Sequence, residues 1–142
     1  MRLPDTNVLL YAVNADAPQH ASARLWMLSA LAAPAGVGMA WVALLGFVRI
    51  ATRPGIFARP LSAGDAMQTV RHWLGLPRVR VLHPGERHAP VLEDLLSALG
   101  SAGNLTTDAH LAALCIEHGA TLASFDRDFL RFEGLEFELL KP

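Results

Sequence analysis

Four aspartates carry the chemistry this sequence offers: Asp5, Asp108, Asp126 and Asp128. Asp126 and Asp128 follow a short apolar run, Ala120 to Ser124. It is too brief for a helix and is bounded by turn residues, so it reads as a strand buried on both faces. Asp108 falls in the first turn of a helix predicted to start at an N-cap Thr107. That helix continues through Leu111, Leu114, Cys115 and His118 and stops at Gly119 in the left-handed C′ position. Asp5 closes a strand at the other end of the chain, Met1 to Leu3, which Pro4 biases toward extended angles. Open α/β sheets bind ligands in the crevice outside the carboxyl ends of their strands. If the two strands are neighbours, Asp5, Asp108 and Asp126 converge there. Several carboxylates so close stay ionised together only around a cation, and hard oxygen ligands with room for water suit Mg²⁺ or Mn²⁺. Each acid also has a plainer reading. Asp5 could cap the helix Val8–Val13, Asp108 could answer the helix dipole, and Asp126 and Asp128 could make a turn about Arg127, with Asp128 the more structural of the two.

The elements that would position these acids alternate along the chain. After the Val8–Val13 helix, Asn14 to Pro18 is turn chemistry, and Asp16 is read as the cap of a helix from Gln19 to Ala33 with Ala21, Leu25, Leu28 and Ala32 as its apolar stripe. Val37 to Ala40 reads as a strand that feeds a helix from Trp41 to Thr52. This helix is apolar nearly all round (Trp41, Leu44, Leu45, Phe47, Val48, Ile50), so it is buried or forms an interface. Ser62 with Asp65 opens a helix through Leu74. A third strand spans Val79 to Leu82, a helix runs from Glu86 to Leu99 with Val91, Leu92, Leu95, Leu96 and Leu99 inward, and Ser101 to Asn104 links to the Asp108 helix. A last strand covers Leu135 to Leu140. Strands alternating with helices predict a single α/β domain over residues 1–142, with a parallel sheet covered on both sides.

The apolar share of 52% leaves ample core for 142 residues. No run approaches the ~18 consecutive apolar residues of a membrane span, and Pro4 and Asp5 interrupt any signal-peptide pattern. The single Cys115 excludes an internal disulfide and a cysteine metal cluster, and fits a small core residue in a reducing cytoplasm. The net charge of −1 hides an asymmetry. Residues 41–90 hold seven Arg against Asp65 and Glu86 for +5, while residues 91–142 stand at −6. Eleven of the twelve basic residues are Arg, the side chain that grips a phosphate bidentately. An acidic pocket beside an arginine-rich flank suits a phosphodiesterase. His83, His88, His110 and His118 lack metal-ligand spacing and read as structural.

Three stretches, DTNVLLYAVN, WVALLGFVRIATRPGIF and NLTTDAHLAALCIEHGATLASFDRDFLRF, together resemble the PIN-domain ribonucleases, and more narrowly the VapC-type toxins of bacterial toxin–antitoxin pairs. The resemblance implies a PIN-like three-layer α/β/α fold with a mainly parallel sheet of roughly four to five strands. It implies a metal-dependent endoribonuclease whose Mg²⁺ or Mn²⁺ is held by Asp5, Asp108 and Asp126, with Asp128 as a further catalytic acid. There the ion polarises the scissile phosphate and lowers the pKa of a bound water. Thr6, Asn7 and Ser124 match polar neighbours that orient carboxylates, water or substrate, and Arg49 matches a candidate substrate contact. RNA, a cognate antitoxin and a second copy of the chain, docked through the Trp41 helix, are the implied partners. One departure stands out: the family's glutamate on the helix after the second strand is missing, and Ala43 to Gly46 offer only Ala, Leu and Gly. That loss motivates the competing reading of a silent PIN domain that binds RNA or protein without cleaving. A phosphotransfer domain is disfavoured because the only lysine is Lys141.

Overall fold

In the computed structural model, which describes residues 1–100 and 103–142, five short strands form one sheet with every pairing parallel. They are β1 (Arg2–Pro4), β2 (Val37–Met39), β3 (Val79–Val81), β4 (Thr121–Ser124) and β5 (Phe137–Leu139), in the order β3-β2-β1-β4-β5. Six helices connect them: α1 (Thr6–Val13), α2 (His20–Ala32), α3 (Trp41–Ala51), α4 (Ala63–Leu74), α5 (His88–Leu99) and α6 (Thr106–His118). The chain leaves β1 toward β2 and β3, then returns past β1 to β4. Right-handed crossovers therefore put α1 to α4 on one face and α5 and α6 on the other, and the packing of α1 on α2 and α3, α3 on α4, and α5 on α6 agrees. Core residues such as Leu3, Val37, Met39 and Leu122 are fully or almost fully buried in the sheet, which is why the central strands read as unbroken apolar runs.

Several local expectations need correcting. Thr107 is not the cap of α6: that helix begins at Thr106, Leu105 occupies the cap position, and the Thr106 hydroxyl donates to the Gly103 carbonyl at 2.8 Å. Asp16 does not cap α2 either. Gln19 holds that position without a side-chain bond, and the Asp16 amide donates to Asn14 Oδ1. On α2 the predicted stripe faces outward, leaving Leu25 70% and Leu28 56% exposed, while Ala23, Trp26, Met27 and Ala30 pack inward. α3 buries Ala43, Leu44, Phe47 and Ala51 but leaves Trp41 and Leu45 at the surface, so much of its apolar character serves the core. Ser62 does cap α4, accepting from the Asp65 amide at 3.1 Å, and Gly119 does end α6 at φ 64°. In the expected link from Ser101 to Asn104, residues 101 and 102 lie outside the described residues, and Gly103–Leu105 forms a 3₁₀ turn.

Gly46 lets α3 press against the start of α1. A Cβ there would lie 2.5 Å from Thr6 Oγ1, the hydroxyl that donates to the Ala43 carbonyl at 3.0 Å. Replacing a helix-interior Gly by Ala normally gains about 1 kcal/mol, but overpacking costs about 1–3 kcal/mol. Gly46→Ala is therefore expected to lower the unfolding midpoint in a urea titration; a raised midpoint would show that α3 does not approach Thr6 this closely.

Candidate active site

β1 and β4 are separated by more than a hundred residues yet pair directly, with Pro4 opposite Ala123. The Asp5 amide donates to the Ala123 carbonyl at 2.9 Å, so the ladder sets Asp5 level with Ser124 at the carboxyl ends of both strands. The connections from β1 and β4 leave in opposite directions here, the switch point at which open α/β sheets take their ligands.

Asp5 serves as the N-cap of α1: its Oδ1 accepts from the Thr6 amide at 2.7 Å. Its Oδ2 accepts from the Ser124 hydroxyl at 2.8 Å. That buried hydroxyl in turn accepts from Asn7 Nδ2 and from the Asp126 amide, each at 3.0 Å. Asn7 Oδ1 takes the Phe125 amide at 3.2 Å. Thus Asp5, Thr6, Asn7 and Ser124, four residues singled out in the sequence, form one bonded group. Asp126 follows on, and its Oδ1 caps the 3₁₀ turn Arg127–Arg131 by accepting from the Asp128 amide at 2.9 Å. The turn-forming role falls to Asp126. Asp108 stands in the first turn of α6.

Electrostatics link the four acids. Burial pushes the Asp5 carboxyl up from its ordinary value, the bonds from Ser124 and Thr6 pull it partly back, and Asp126 pushes it up again. Asp108 rises to about 6, first through burial and then through repulsion by Asp5, Asp126 and Asp128. The ion pairs among the described residues, Arg2–Glu138 and His88–Glu117, involve none of these acids, so no side-chain cation neutralises them. Among the described residues no three Asp, Glu, His or Cys side chains are grouped closely enough to hold an ion by themselves. Mg²⁺ does not need such a cage, because it keeps several waters and binds through one or two carboxylates. Asp5 retains a free lone pair on each oxygen after accepting one bond at each, so the donor chemistry fits a hard divalent cation.

Arg49 lies exposed in the last turn of α3 and belongs to no ion pair among the described residues. It is not part of the bonded group at Asp5. The histidines are paired instead: His88 Nε2 lies 2.9 Å from His110 Nδ1, and His118 Nε2 lies 2.7 Å from the His83 carbonyl, contacts that fasten α5 and its preceding loop to α6. Sequence spacing gave no sign of the His88–His110 contact, because it joins residues on two helices. Nor did it show the small-residue seat under Thr6 made by Ala43 and Gly46, where only the absence of an acid was visible.

The raised Asp108 carboxyl has a consequence for stability. In the folded chain it binds its proton more tightly than in the unfolded chain, so ionising it costs stability above about pH 6. That cost fades as the pH falls toward the ordinary 3.8. With a chelator present, Asp108→Asn is expected to melt about 2–4 °C above the wild type at pH 7.5 and level with it near pH 4. A variant less stable than wild type at pH 7.5 would contradict the repulsive pocket.

The PIN-domain family profile matches residues 2–135. The chain is 46% identical over 138 residues to ribonuclease VapC37 of Mycobacterium tuberculosis, covering 97% of this chain and 96% of that protein. It is 44% identical over 137 residues to ribonuclease VapC33 of the same species, covering 96% of each. Among solved structures, VapBC2 from Rickettsia felis, bound to a DNA fragment from their promoter, superposes with a TM-score of 0.72 at 19% identity and covers 99% of this chain and 98% of that one; this likeness supports the fold. A match spanning nearly the whole chain, with Asp5, Asp108 and Asp126 all inside it, settles the affiliation: the chain belongs to the PIN-domain family, beside the VapC ribonucleases.

Proposed function

We propose that this chain is a divalent-metal-dependent endoribonuclease and the toxin of a toxin–antitoxin pair. The observation that carries the reading is the set of acids at the carboxyl ends of β1 and β4 and the start of α6, where burial and mutual repulsion raise Asp108 and none has an ion-pair partner among the described residues, in a chain 46% identical to a VapC ribonuclease over 97% of its length. Of Asp5, Asp108 and Asp126, one or two would bind Mg²⁺ or Mn²⁺ directly and the others through bound water, which completes the coordination. Such an ion, when bound, neutralises the scissile phosphate and acidifies a water.

The chain's own residues have defined tasks. Ser124 and the Thr6 amide fix the Asp5 carboxylate, leaving one lone pair on each oxygen for an ion or water. Asn7 holds Ser124 and the Phe125 amide, which sets the course of the chain into Asp126. Asp126 or Asp128 would accept the proton of the attacking water. Arg49, exposed and in no ion pair among the described residues, is the proposed phosphate contact. The outward Leu25 and Leu28 of α2 form an apolar surface suited to a protein partner, an antitoxin or a second copy of the chain. The silent-domain reading keeps one supporting observation: Ala43 and Gly46 pack against Thr6, which leaves no acid at that side of the pocket.

Cleavage of RNA by purified protein with Mg²⁺ or Mn²⁺ tests this directly. Activity is expected to vanish with chelator and in Asp5→Asn, and to fall about 10–100-fold in Ser124→Ala, which acts by orienting a ligand. Cleavage that survives both chelator and Asp5→Asn would reject the metal reading, and no cleavage with either ion would favour the silent domain.

A further inference from the structure

The outward face of α3 carries a row that neither the core nor the acid cluster uses. Trp41, Leu45 and Arg49 stand four residues apart on successive turns of the same side. Trp41 is 40% exposed and Leu45 59% exposed, and Arg49 is exposed as well. Among the described residues Trp41 has no aromatic partner, and Arg49 has no carboxylate partner. The row begins at the site. β1 and β2 are parallel neighbours that pair at Arg2 and Val37, so Asp5 and Ala40, the residues just past their ends, come to the same edge of the sheet. Trp41 is the next residue, and the bond from Thr6 to the Ala43 carbonyl pins this turn of α3 to the Asp5 loop. From Trp41 to Arg49 is about 12 Å along the helix axis, at 1.5 Å per residue. Long helical side chains lean toward the helix N-terminus, the end of α3 at which Trp41 stands.

We propose that Trp41 is a base-stacking residue, its indole taking an unpaired RNA base next to the acid cluster while Arg49 holds a phosphate farther along the strand. The inference rests on the ribonuclease reading above. Its chemistry asks for a ligand that offers a flat π face and an anion within about 12 Å, a distance that a few nucleotides of single strand cover. Single-stranded RNA offers both, and indole stacking tolerates any base; in a duplex the bases are already covered. A protein partner has the exposed Leu25 and Leu28 of α2 available.

Trp26 and Trp73 are buried, so Trp41 is the tryptophan that solution quenchers and nucleic acid reach. In the Asp108→Asn background, which keeps the RNA intact, titration with poly(U) at low salt is expected to quench tryptophan fluorescence saturably. Trp41→Leu in that background should abolish the quenching and weaken filter binding by roughly five- to hundredfold, and Trp41→Phe should restore most of the affinity. The poly(A)·poly(U) duplex should quench far less, and Arg49→Gln should lower the slope of log affinity against log salt by about 0.7. Equal poly(U) binding by the Trp41→Leu protein, or loss of self-association in that variant with RNA binding intact, overturns the proposal. Active enzyme whose KM and kcat are both unmoved by Trp41→Leu overturns the stacking role and leaves the nuclease reading standing. Trp41-dependent quenching in a protein that cuts no RNA supports stacking and defeats the nuclease reading instead.

Discussion

One hydroxyl holds this molecule's working edge together. Ser124 has a single hydrogen and two lone pairs, and all three are used: it donates to Asp5 and accepts from Asn7 and from the Asp126 amide. Those partners lie at the end of β1, in the first turn of α1 and, more than a hundred residues farther along the chain, in the loop after β4. Closing so long a loop costs entropy, which the parallel pairing of β1 with β4 and the surrounding core must offset. The hydroxyl adds position more than stability, since a hydrogen bond nets only about 1 kcal/mol. It fixes which oxygens of Asp5 face inward and where the chain turns to present Asp126.

Around that fixed point the chain accumulates negative charge it does not neutralise. Asp5 is desolvated by burial, and Asp108 feels Asp5, Asp126 and Asp128. Such an arrangement opposes folding at neutral pH, and the opposition makes sense if the cluster exists for a cation supplied from outside the fold. The close seat of α3 on Thr6 shapes the same pocket from its other side: Gly46 and the Ala43 carbonyl occupy space where a longer side chain would project. The proposed ion would therefore have water where a further carboxylate could have stood.

The alternation of strands and helices was readable because Gly, Pro and Asn punctuate it, and all five strands lie within one or two residues of the apolar runs that announced them. The acids at the ends of β1 and β4 were readable for the same reason, since a polar residue right after an apolar run marks the strand's end. What could not be read was which of two apolar stripes on α2 faces inward. Ala21, Leu25, Leu28 and Ala32 have helical spacing, but so do Ala23, Trp26, Met27 and Ala30, and the larger Trp26 wins the core, aided by its bond to Glu138 at 3.0 Å. The caps at Thr107 and Asp16 failed because neighbouring residues met the same needs: the 3₁₀ turn at Gly103–Leu105 feeds α6 one residue early, and Asn14 captures the Asp16 amide. The bonding of Ser124 depends on side-chain rotamers across three segments, which no linear pattern encodes.

Isothermal titration of Mn²⁺ into the purified chain at low salt and neutral pH, wild type beside Asp108→Asn, addresses the convergence of these acids most directly. Saturable binding by the wild type that is lost in Asp108→Asn is the predicted result, because Asp108 shares its field with Asp5 and Asp126. Binding of equal strength in both proteins would place the ion elsewhere, and binding in neither would mean that the carboxylates repel one another without serving a metal, contradicting the central claim.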